Sequence, residues 1–256
     1  MPLNLSVIAM IALLGMMAGC GVKESNDASP SETALTEKTQ EVEMNATDGV
    51  DLASNALGTP SLSEAQSSVE FVIVMLGDSL TAGYALSDDD ALPSQLEKRL
   101  KDSGIAARVV NAGVSGDTTA GGLARFDWSV TSAQPDLLLV ALGANDYLQG
   151  IDPARTRDNL SAIIGRAKAA GIPVALIGIE STSPDTVDQF DAAYSEIYPS
   201  LAAIHDMPLY PAMLKGVRAH PALLQGDGLH PTSQGVGIIA DNLEVFLTPI
   251  IADLSE

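Results

Sequence analysis

The sequence predicts an α/β fold in which helices cover both faces of a mostly parallel, five-stranded sheet. From Glu70 onward, short apolar runs alternate with longer segments of helical periodicity. The apolar runs are nearly continuous, which is typical of strands that are buried on both faces. Regular strand–helix alternation of this kind indicates a parallel sheet with helices packed on it.

Five strands and five helices follow from these patterns. Gly104 and Gly171 end two helices just before strands, as C-cap glycines do. Pro153 directly after Asp152 suits the first turn of a helix behind an N-cap. The predicted strands are Phe71–Leu76, Ala107–Asn111, Leu137–Leu142, Val174–Ile179 and Leu209–Tyr210. The predicted helices are Leu92–Lys101, Thr119–Thr131, Pro153–Ala170, Thr186–His205 and Ser233–Leu247.

The composition is acidic, with enough apolar residues for a sizeable core. The chain has 256 residues, a net charge of −20 and an apolar fraction of 46%. The acidity argues against nucleic acid as a partner, because phosphate binding needs clustered Lys and Arg. The single cysteine is Cys20, and the histidines His205, His220 and His230 stand at no metal-ligand spacing. We therefore expect neither an intrachain disulfide nor a metal site. The protein is also expected to be a monomer.

Residues 1–20 have the pattern of a signal peptide. An apolar stretch over residues 3–19 leads into Ala18-Gly19-Cys20, and small residues after such a stretch mark a cleavage site. A cysteine at this place resembles the lipobox of bacterial lipoproteins, which implies that Cys20 is lipidated and becomes the new N-terminus. An ordinary secretory signal and an uncleaved anchor are the alternatives. The expected location is the bacterial cell envelope or periplasm, with the membrane reached through the lipid alone, or else secretion.

Residues 21–69 differ in character from the rest of the chain. They are rich in Ser, Thr, Glu, Asp and Asn and contain no aromatic residue. Such a segment cannot bury enough apolar surface to offset the entropy of ordering its backbone. We predict a disordered acidic linker over residues 21–69 and one folded domain over residues 70–256.

A serine and an Asp/His pair supply the parts of a serine hydrolase. The first strand ends in Gly77-Asp78-Ser79-Leu80, which places Ser79 at the edge of the sheet where ligands bind in open α/β folds. Near the C-terminus, Asp227 precedes His230 by three residues. This spacing allows Asp227 to orient His230 as the base that activates Ser79. Taken alone, Ser79 is more typical of a helix N-cap or a turn serine, and an isolated Asp227–His230 segment also fits an Asx-turn that leads to a surface histidine.

Two further loops should open on the same edge of the sheet. One follows the second strand and contains Gly116, and the other follows the third strand and contains Asn145. Acyl transfer needs hydrogen-bond donors aimed at the developing oxyanion. Gly116 can bring a backbone N–H close without a Cβ in the way, and Asn145 offers a side-chain N–H. A turn glycine and a helix cap are the alternative interpretations.

These motifs occur in the order of the sequence blocks of the GDSL or SGNH hydrolases, and residues 70–252 resemble that family. The resemblance is strongest to the acyl-CoA thioesterase I/arylesterase branch. It implies a flavodoxin-like three-layer α/β/α sandwich that needs neither a metal nor an organic cofactor. The stretches shared with that branch include Thr81-Ala82-Gly83-Tyr84, Gly122-Leu123-Ala124-Arg125 and Ile197-Tyr198-Pro199.

The resemblance also implies a role for each motif residue. Ser79 would be the nucleophile, His230 the general acid and base, and Asp227 the carboxylate that orients it. The backbone N–H groups of Ser79 and Gly116 and the side chain of Asn145 would form the oxyanion hole. Asp78 would brace the nucleophile loop.

Two departures from that branch concern the acyl pocket. Tyr147 stands where relatives often have glycine, so its ring predicts a shorter pocket, unless it points to solvent or packs on a neighbouring helix. The segment Glu180-Ser181-Thr182-Ser183-Pro184 is polar where relatives place apolar contacts. The expected function is a serine esterase for small, short- to medium-chain acyl or aryl ester substrates, with thioesters also considered. Lysophospholipase or protease-like activity, and a non-catalytic ligand-binding lipoprotein, are the alternatives.

Overall fold

The apolar runs form the centre of one parallel sheet in the order β2-β1-β3-β4-β5. The computed structural model describes residues 70–179 and 189–256, so the predicted signal peptide and linker lie outside the described residues. The strands are β1 Phe71–Gly77, β2 Ala107–Gly113, β3 Leu137–Ala141, β4 Val174–Ile177 and β5 Leu209–Tyr210. The helices are α1 Ser79–Ala82, α2 Leu92–Asp102, α3 Thr119–Ala124, α4 Phe126–Ser129, α5 Ala144–Leu148, α6 Pro153–Ala169, α7 Gln189–His205 and α8 Ser233–Leu254.

The central strand β1 shows how three layers arise. Ile73 and Met75 face one side of the sheet and Val74 and Leu76 the other, and all four side chains are fully buried. Helices α2 and α8 cover the first side, and α4, α6 and α7 cover the second. Each such side chain contributes about 1.5–3 kcal/mol relative to exposure in water. This is the parallel sheet covered on both faces that the apolar pattern predicts, and it has the flavodoxin-like three-layer form that the family resemblance implies.

Helix α8 packs on this sheet as a core helix. By length and composition it could cross a membrane, since its mean hydropathy reaches 1.5, and no other helix among the described residues meets that test. One of its faces is buried and includes Leu243 and Leu247. Another face carries Asp241, which pairs with Arg99 of α2. An apolar stripe opposite a charged face is typical of a helix on a globular core.

Two of the predicted helices differ from the structure by more than one residue within the described part of the chain, whereas α2 and α6 differ by a single residue at their ends. The predicted helix Thr119–Thr131 is interrupted at Arg125, whose backbone has φ −97° and ψ 8°, and α4 begins at the next residue. The last helix continues beyond Leu247 and through Pro249, because Ile251 is still buried in the core. The first part of the predicted helix Thr186–His205 lies outside the described residues, and the remainder is α7.

The strand order brings three loops together. Because β1 lies between β2 and β3, the chain reverses its direction of progress through the sheet there, and such a reversal leaves a cleft at the carboxyl ends of the strands. Ser79, Gly116 and Asn145 follow β1, β2 and β3 respectively. The fold therefore places these three residues at one edge, as the sequence predicts.

Candidate active site

The turn after β1 presents Ser79 at the start of a short helix. A Cβ at Gly77 would lie 2.0 Å from Oγ1 of Thr81, so only glycine lets α1 fold this closely over the strand end. The side chain of Asp78 accepts a hydrogen bond from the N–H of Leu80 at 3.0 Å and caps the helix. The interpretation of Ser79 as an N-cap is therefore wrong, because Asp78 occupies that position.

His230 connects Ser79 to Asp227 through two hydrogen bonds. Ser79 Oγ lies 2.9 Å from His230 Nε2, and His230 Nδ1 lies 2.7 Å from Asp227 Oδ2. An ionised carboxylate only accepts hydrogen bonds, so Nδ1 carries the proton and Nε2 can accept from the serine hydroxyl. This arrangement allows an imidazole to remove the proton of a serine.

The loop that carries His230 also holds the Asp227 carboxylate. Asp227 Oδ1 accepts the backbone N–H groups of Leu229 at 2.9 Å and of His230 at 3.0 Å. The hydrogen bond with the His230 side chain, followed by these two backbone bonds, lowers the pKa of Asp227 to about 2. Asp227 is therefore ionised at neutral pH, as an orienting carboxylate must be.

Two residues to which the sequence analysis gives no role hold His230 against the nucleophile segment. The ring of Tyr84 lies on the His230 imidazole, with ring centroids 4.4 Å apart. Gln225 Nε2 donates to the backbone carbonyls of Tyr84 and Pro231, both at 2.9 Å. Tyr84 could have been noticed from its place in a shared motif, whereas nothing in the sequence pattern marks Gln225.

Gly116 and Asn145 line the same cavity as Ser79. Gly116 has a φ of +83°, in the left-handed region that favours glycine, while a Cβ there would meet no atom within 4 Å. Backbone conformation, and not crowding, therefore explains this glycine. Asn145 Nδ2 donates to the backbone carbonyl of Asp117 at 2.9 Å, and this bond uses one of the two hydrogens of the amide.

Asp146 follows Asn145 in helix α5, and its fully buried side chain anchors this helix in the protein. The Asp146 carboxylate accepts the backbone N–H of Thr119 at 2.8 Å and the hydroxyls of Thr119 and Thr156. Thr156 Oγ1 lies 2.9 Å from the hydroxyl of Tyr194. This network ties α5 to α3, α6 and α7, and so restricts movement of Asn145.

Tyr147 both lines the cavity and packs on α7. Its ring contacts those of Phe190 and Tyr194, with centroids 5.6 Å and 5.3 Å apart. Its hydroxyl donates to Asp191 Oδ1 at 2.6 Å. The ring is therefore held in the wall of the cavity by its contacts with the helix. The polar segment Glu180–Pro184 lies outside the described residues.

The cavity above Ser79 has a volume of about 360 Å³, which falls within the usual range for small-molecule sites. Its wall is mainly apolar around a few polar groups at one end. Beside Ser79, His230 and the two loop residues, it is lined by Asp78, Leu80, Tyr84, Ser115, Ala144, Tyr147, Leu148, Ile179, Met213, Leu214, Arg218 and Leu229.

His205 and His220 do not line this cavity. His205 is partly exposed at the end of α7, and His220 is exposed. Within residues 70–179 and 189–256, no group of three or more His, Cys, Asp or Glu side chains could hold a metal ion.

Asp78 is a buried carboxyl group beside the nucleophile. Its side chain is 2% exposed, and this burial raises its pKa to about 6, although the hydrogen bond from Leu80 and the nearby His230 favour ionisation. An unfolded aspartate has a pKa near 3.9. The folded state therefore binds the Asp78 proton more tightly than the unfolded state, which costs stability once the group must ionise.

We expect Asp78→Asn to be more stable than the parent at neutral pH. The advantage should grow from about pH 4 to about pH 6 and then level off, at about 3 kcal/mol for a shift of two pH units. Asparagine can still cap α1, so the charge is the main change. Urea unfolding between about pH 4 and pH 8 measures this, with the exposed Asp253→Asn as control. Parallel stability curves for the parent and Asp78→Asn would contradict the prediction.

Comparison with known proteins places these motifs in a family. Residues 75–238 match the GDSL-like Lipase/Acylhydrolase family. The chain is 35% identical over 179 residues to "Esterase TesA" of Pseudomonas aeruginosa, which covers 70% of this chain and 89% of that protein. It is 37% identical over 169 residues to "Arylesterase" of Vibrio mimicus, covering 66% of this chain and 84% of the relative. It is also 37% identical over 179 residues to "Thioesterase 1/protease 1/lysophospholipase L1" of Escherichia coli K12, covering 70% and 84%.

Solved structures agree in fold as well as in sequence. The crystal structure of TesA superposes with a TM-score of 0.66 at 36% identity and covers 70% of this chain and 98% of its own. AlinE4, described as an SGNH-hydrolase family esterase, gives a TM-score of 0.59 at 40% identity and covers 72% and 96%. The predicted fold class and enzyme class are thereby confirmed. The chain belongs to the GDSL-like lipase/acylhydrolase family of serine ester hydrolases.

Proposed function

We propose that this enzyme hydrolyses short- to medium-chain acyl or aryl esters through an acyl-enzyme intermediate on Ser79. The observation that carries the proposal is the unbroken line of hydrogen bonds from Ser79 through His230 to the ionised Asp227, at 2.9 Å and 2.7 Å. Such a line serves catalysis and has no use in a protein that only binds ligands. It therefore weighs against the non-catalytic alternative.

Acylation begins when Ser79 Oγ bonds to the carbonyl carbon and its proton passes to His230 Nε2. The electron pair of the carbonyl double bond moves to oxygen, and the N–H groups of Ser79 and Gly116 and the second amide hydrogen of Asn145 would donate hydrogen bonds to the oxyanion that forms. When the carbonyl re-forms, the alcohol leaves and takes the proton from His230. Asp227 stabilises the imidazolium that exists between these two transfers.

Deacylation repeats the same steps with water. His230 Nε2 removes a proton from water as the water oxygen bonds to the acyl carbon. The same three donors stabilise the second oxyanion. Collapse then releases the carboxylic acid, and the proton on His230 returns to Ser79 Oγ. A thioester would follow the same sequence with a thiol as the leaving group, so the triad alone does not decide between the two.

The cavity wall supports the proposed limit on acyl length. Tyr147 borders the cavity directly beside Asn145, and its hydroxyl and ring contacts with α7 prevent it from swinging freely. A fixed ring removes volume that the distal part of a long chain would occupy. Met213 and Leu214 provide apolar contacts for a shorter chain or an aryl group.

We expect Tyr147→Gly to raise kcat/KM for octanoate and longer esters relative to butyrate. One methylene in an apolar pocket is worth roughly 1–3 kcal/mol, so preference should move in steps along a chain-length series. Acetate turnover should change little, because the triad is untouched. Tyr147→Phe is the matched control, since it loses the hydroxyl bond to Asp191 and keeps the ring. An unchanged profile in folded Tyr147→Gly would refute the proposed role of Tyr147.

The proposed substrate class is tested with a panel of p-nitrophenyl esters from acetate to dodecanoate, matched thioesters, and a lysophospholipid. The full chain should show its highest kcat/KM at short or medium acyl length. Labelling of Ser79 by an alkyl fluorophosphonate, found by peptide mass, would support the acyl-enzyme route. A clear preference for long thioesters or for the lysophospholipid would overturn the substrate class while leaving the nucleophile in place.

We also propose that the mature enzyme is held in the cell envelope by a lipid on Cys20. The support is the apolar stretch that leads into Ala18-Gly19-Cys20. An alkyne analogue of palmitate should label the protein in a bacterial host, and Cys20→Ser should abolish the label. Unlabelled parent protein of unchanged length would mean that neither lipidation nor cleavage occurs.

A further inference from the structure

Arg125 binds three separate segments with one side chain. Its Nε donates to Asp117 Oδ2 at 2.7 Å, its Nη2 to the backbone carbonyl of Gly77 at 3.0 Å, and its Nη1 to Ser129 Oγ at 3.0 Å. The side chains of Arg125 and Asp117 are 15% and 12% exposed. A guanidinium is planar and its donors point in fixed directions. It therefore holds these three acceptors in one relative geometry.

Two of the three acceptors belong to the segments that surround the proposed oxyanion. Gly77 is the last residue of β1, two positions before Ser79. Asp117 directly follows Gly116, and its backbone carbonyl accepts the amide of Asn145 at 2.9 Å. Arg125 is thus linked to each of the three segments that would supply an oxyanion donor.

We infer that Arg125 is a positioning residue that sets the spacing of the oxyanion hole, an inference that rests on the proposed function. Arg125 acts through the backbone of Gly77 and through Asp117, without contacting the substrate. Oxyanion donors stabilise the transition state because they are already in place when charge develops. A displacement of about 1 Å in such a site can cost about 10²-fold in rate.

The interruption of the predicted helix at Arg125 fits this role. Arg125 lies between α3 and α4, at the point where the backbone leaves helical geometry. From this position the Arg125 side chain reaches both Asp117 and the end of β1.

The test compares Arg125→Met, Arg125→Lys and Asp117→Asn in the full chain. Ser129→Ala is the matched control, because it removes the one bond of Arg125 that does not lead to the oxyanion hole. Each variant is measured for kcat and KM with p-nitrophenyl butyrate and for melting temperature.

Inhibition by an alkyl trifluoromethyl ketone is also measured. The carbonyl carbon of this inhibitor bonds to Ser79 Oγ, its oxygen becomes an oxyanion, and the serine proton passes to His230. The corresponding methyl ketone reports on binding without that oxyanion.

We expect Arg125→Met to lower kcat by up to about 10²-fold and to raise the Ki of the trifluoromethyl ketone by a similar factor. KM and the Ki of the methyl ketone should change little. Arg125→Lys should show much of the same loss, because an ammonium keeps the charge without the fork of donors. Asp117→Asn should show a smaller loss in the same direction, and Ser129→Ala should behave like the parent.

A merely structural ion pair gives a different result. It would lower the melting temperature and leave kcat and both Ki values unchanged at temperatures well below melting, which would overturn the inference. If Arg125→Met does not fold, Arg125→Lys and Asp117→Asn decide the question by the same measurements. Asn145→Ala distinguishes a failure of the inference about Arg125 from a failure of the proposed oxyanion hole. If Asn145→Ala raises the Ki of the trifluoromethyl ketone and the Arg125 variants do not, the inference about Arg125 alone fails. If none of these variants raises that Ki, the proposed oxyanion hole fails.

Discussion

Replacing Ser79 with alanine is expected to abolish measurable esterase activity and to leave the fold intact. The serine oxygen is the atom that would carry the acyl group, and loss of a nucleophile in a triad costs on the order of 10⁶-fold in kcat. Alanine should be tolerated at this position, because Asp78 rather than Ser79 caps α1. The measurement is kcat with p-nitrophenyl butyrate, together with circular dichroism to check the fold.

Ser94→Ala, an exposed serine on α2, is the matched control and should retain full activity. An alkyl fluorophosphonate should add its mass to the parent and to Ser94→Ala, but not to Ser79→Ala. Near-parental turnover by Ser79→Ala, in a preparation free of host esterase, would remove Ser79 as the nucleophile.

The second large effect is expected at His230. His230→Ala should lose nearly as much activity as Ser79→Ala, because nucleophile and base act as a unit. Asp227→Asn should lose less, although still on the order of 10⁴-fold. The reason is that the Asp227 side chain is 37% exposed, so solvent can partly take over the orientation of the imidazole. The measurement is kcat/KM for all three variants with one substrate.

His220→Ala is the control for a histidine without catalytic contacts, and it should match the parent. The double variant Ser79→Ala/His230→Ala should be no slower than Ser79→Ala alone, since the two residues serve one step. If the losses multiplied, His230 would act independently of Ser79, and the triad would have to be abandoned.

The sheet was predictable from the sequence because buried parallel strands are nearly continuous apolar runs. β5 was predicted to the residue, and the other strands begin where predicted and end within two residues. The short helices α1 and α5 were not among the predicted helices, and a helix at either place entered only as an alternative interpretation of Ser79 and Asn145. Each begins at or just after a strand end, within motifs interpreted as catalytic loops, and neither is long enough to show helical periodicity.

The helix boundaries that were wrong depend on tertiary contacts. Arg125, where the predicted helix is interrupted, bonds to Asp117, Gly77 and Ser129, of which Gly77 is 48 residues away. No local pattern encodes that distance. The extension of α8 beyond Pro249 depends on burial of Ile251 against the sheet, and a proline in the sequence suggests the opposite.

In the candidate site, too, local sequence motifs were predictable and long-range contacts were not. Ser79, Asp227 and His230 could be identified because each stands in a short motif whose spacing has a chemical reason. The support around them could not: the Gln225 amide reaches Tyr84 across 141 residues, and the Tyr147 hydroxyl reaches Asp191 across 44. The glycine at position 116 was identified for its N–H, but its left-handed backbone became evident only in three dimensions.

The separation of Ser79 and His230 along the chain has a consequence for biosynthesis. The two residues are 151 positions apart, and α8, which follows His230 and covers one side of the sheet, spans Ser233–Leu254. A nascent chain that still lacks α8 cannot close the core and cannot hold the base beside the serine. We therefore expect a nascent chain to show no hydrolytic activity until α8 has packed on the sheet.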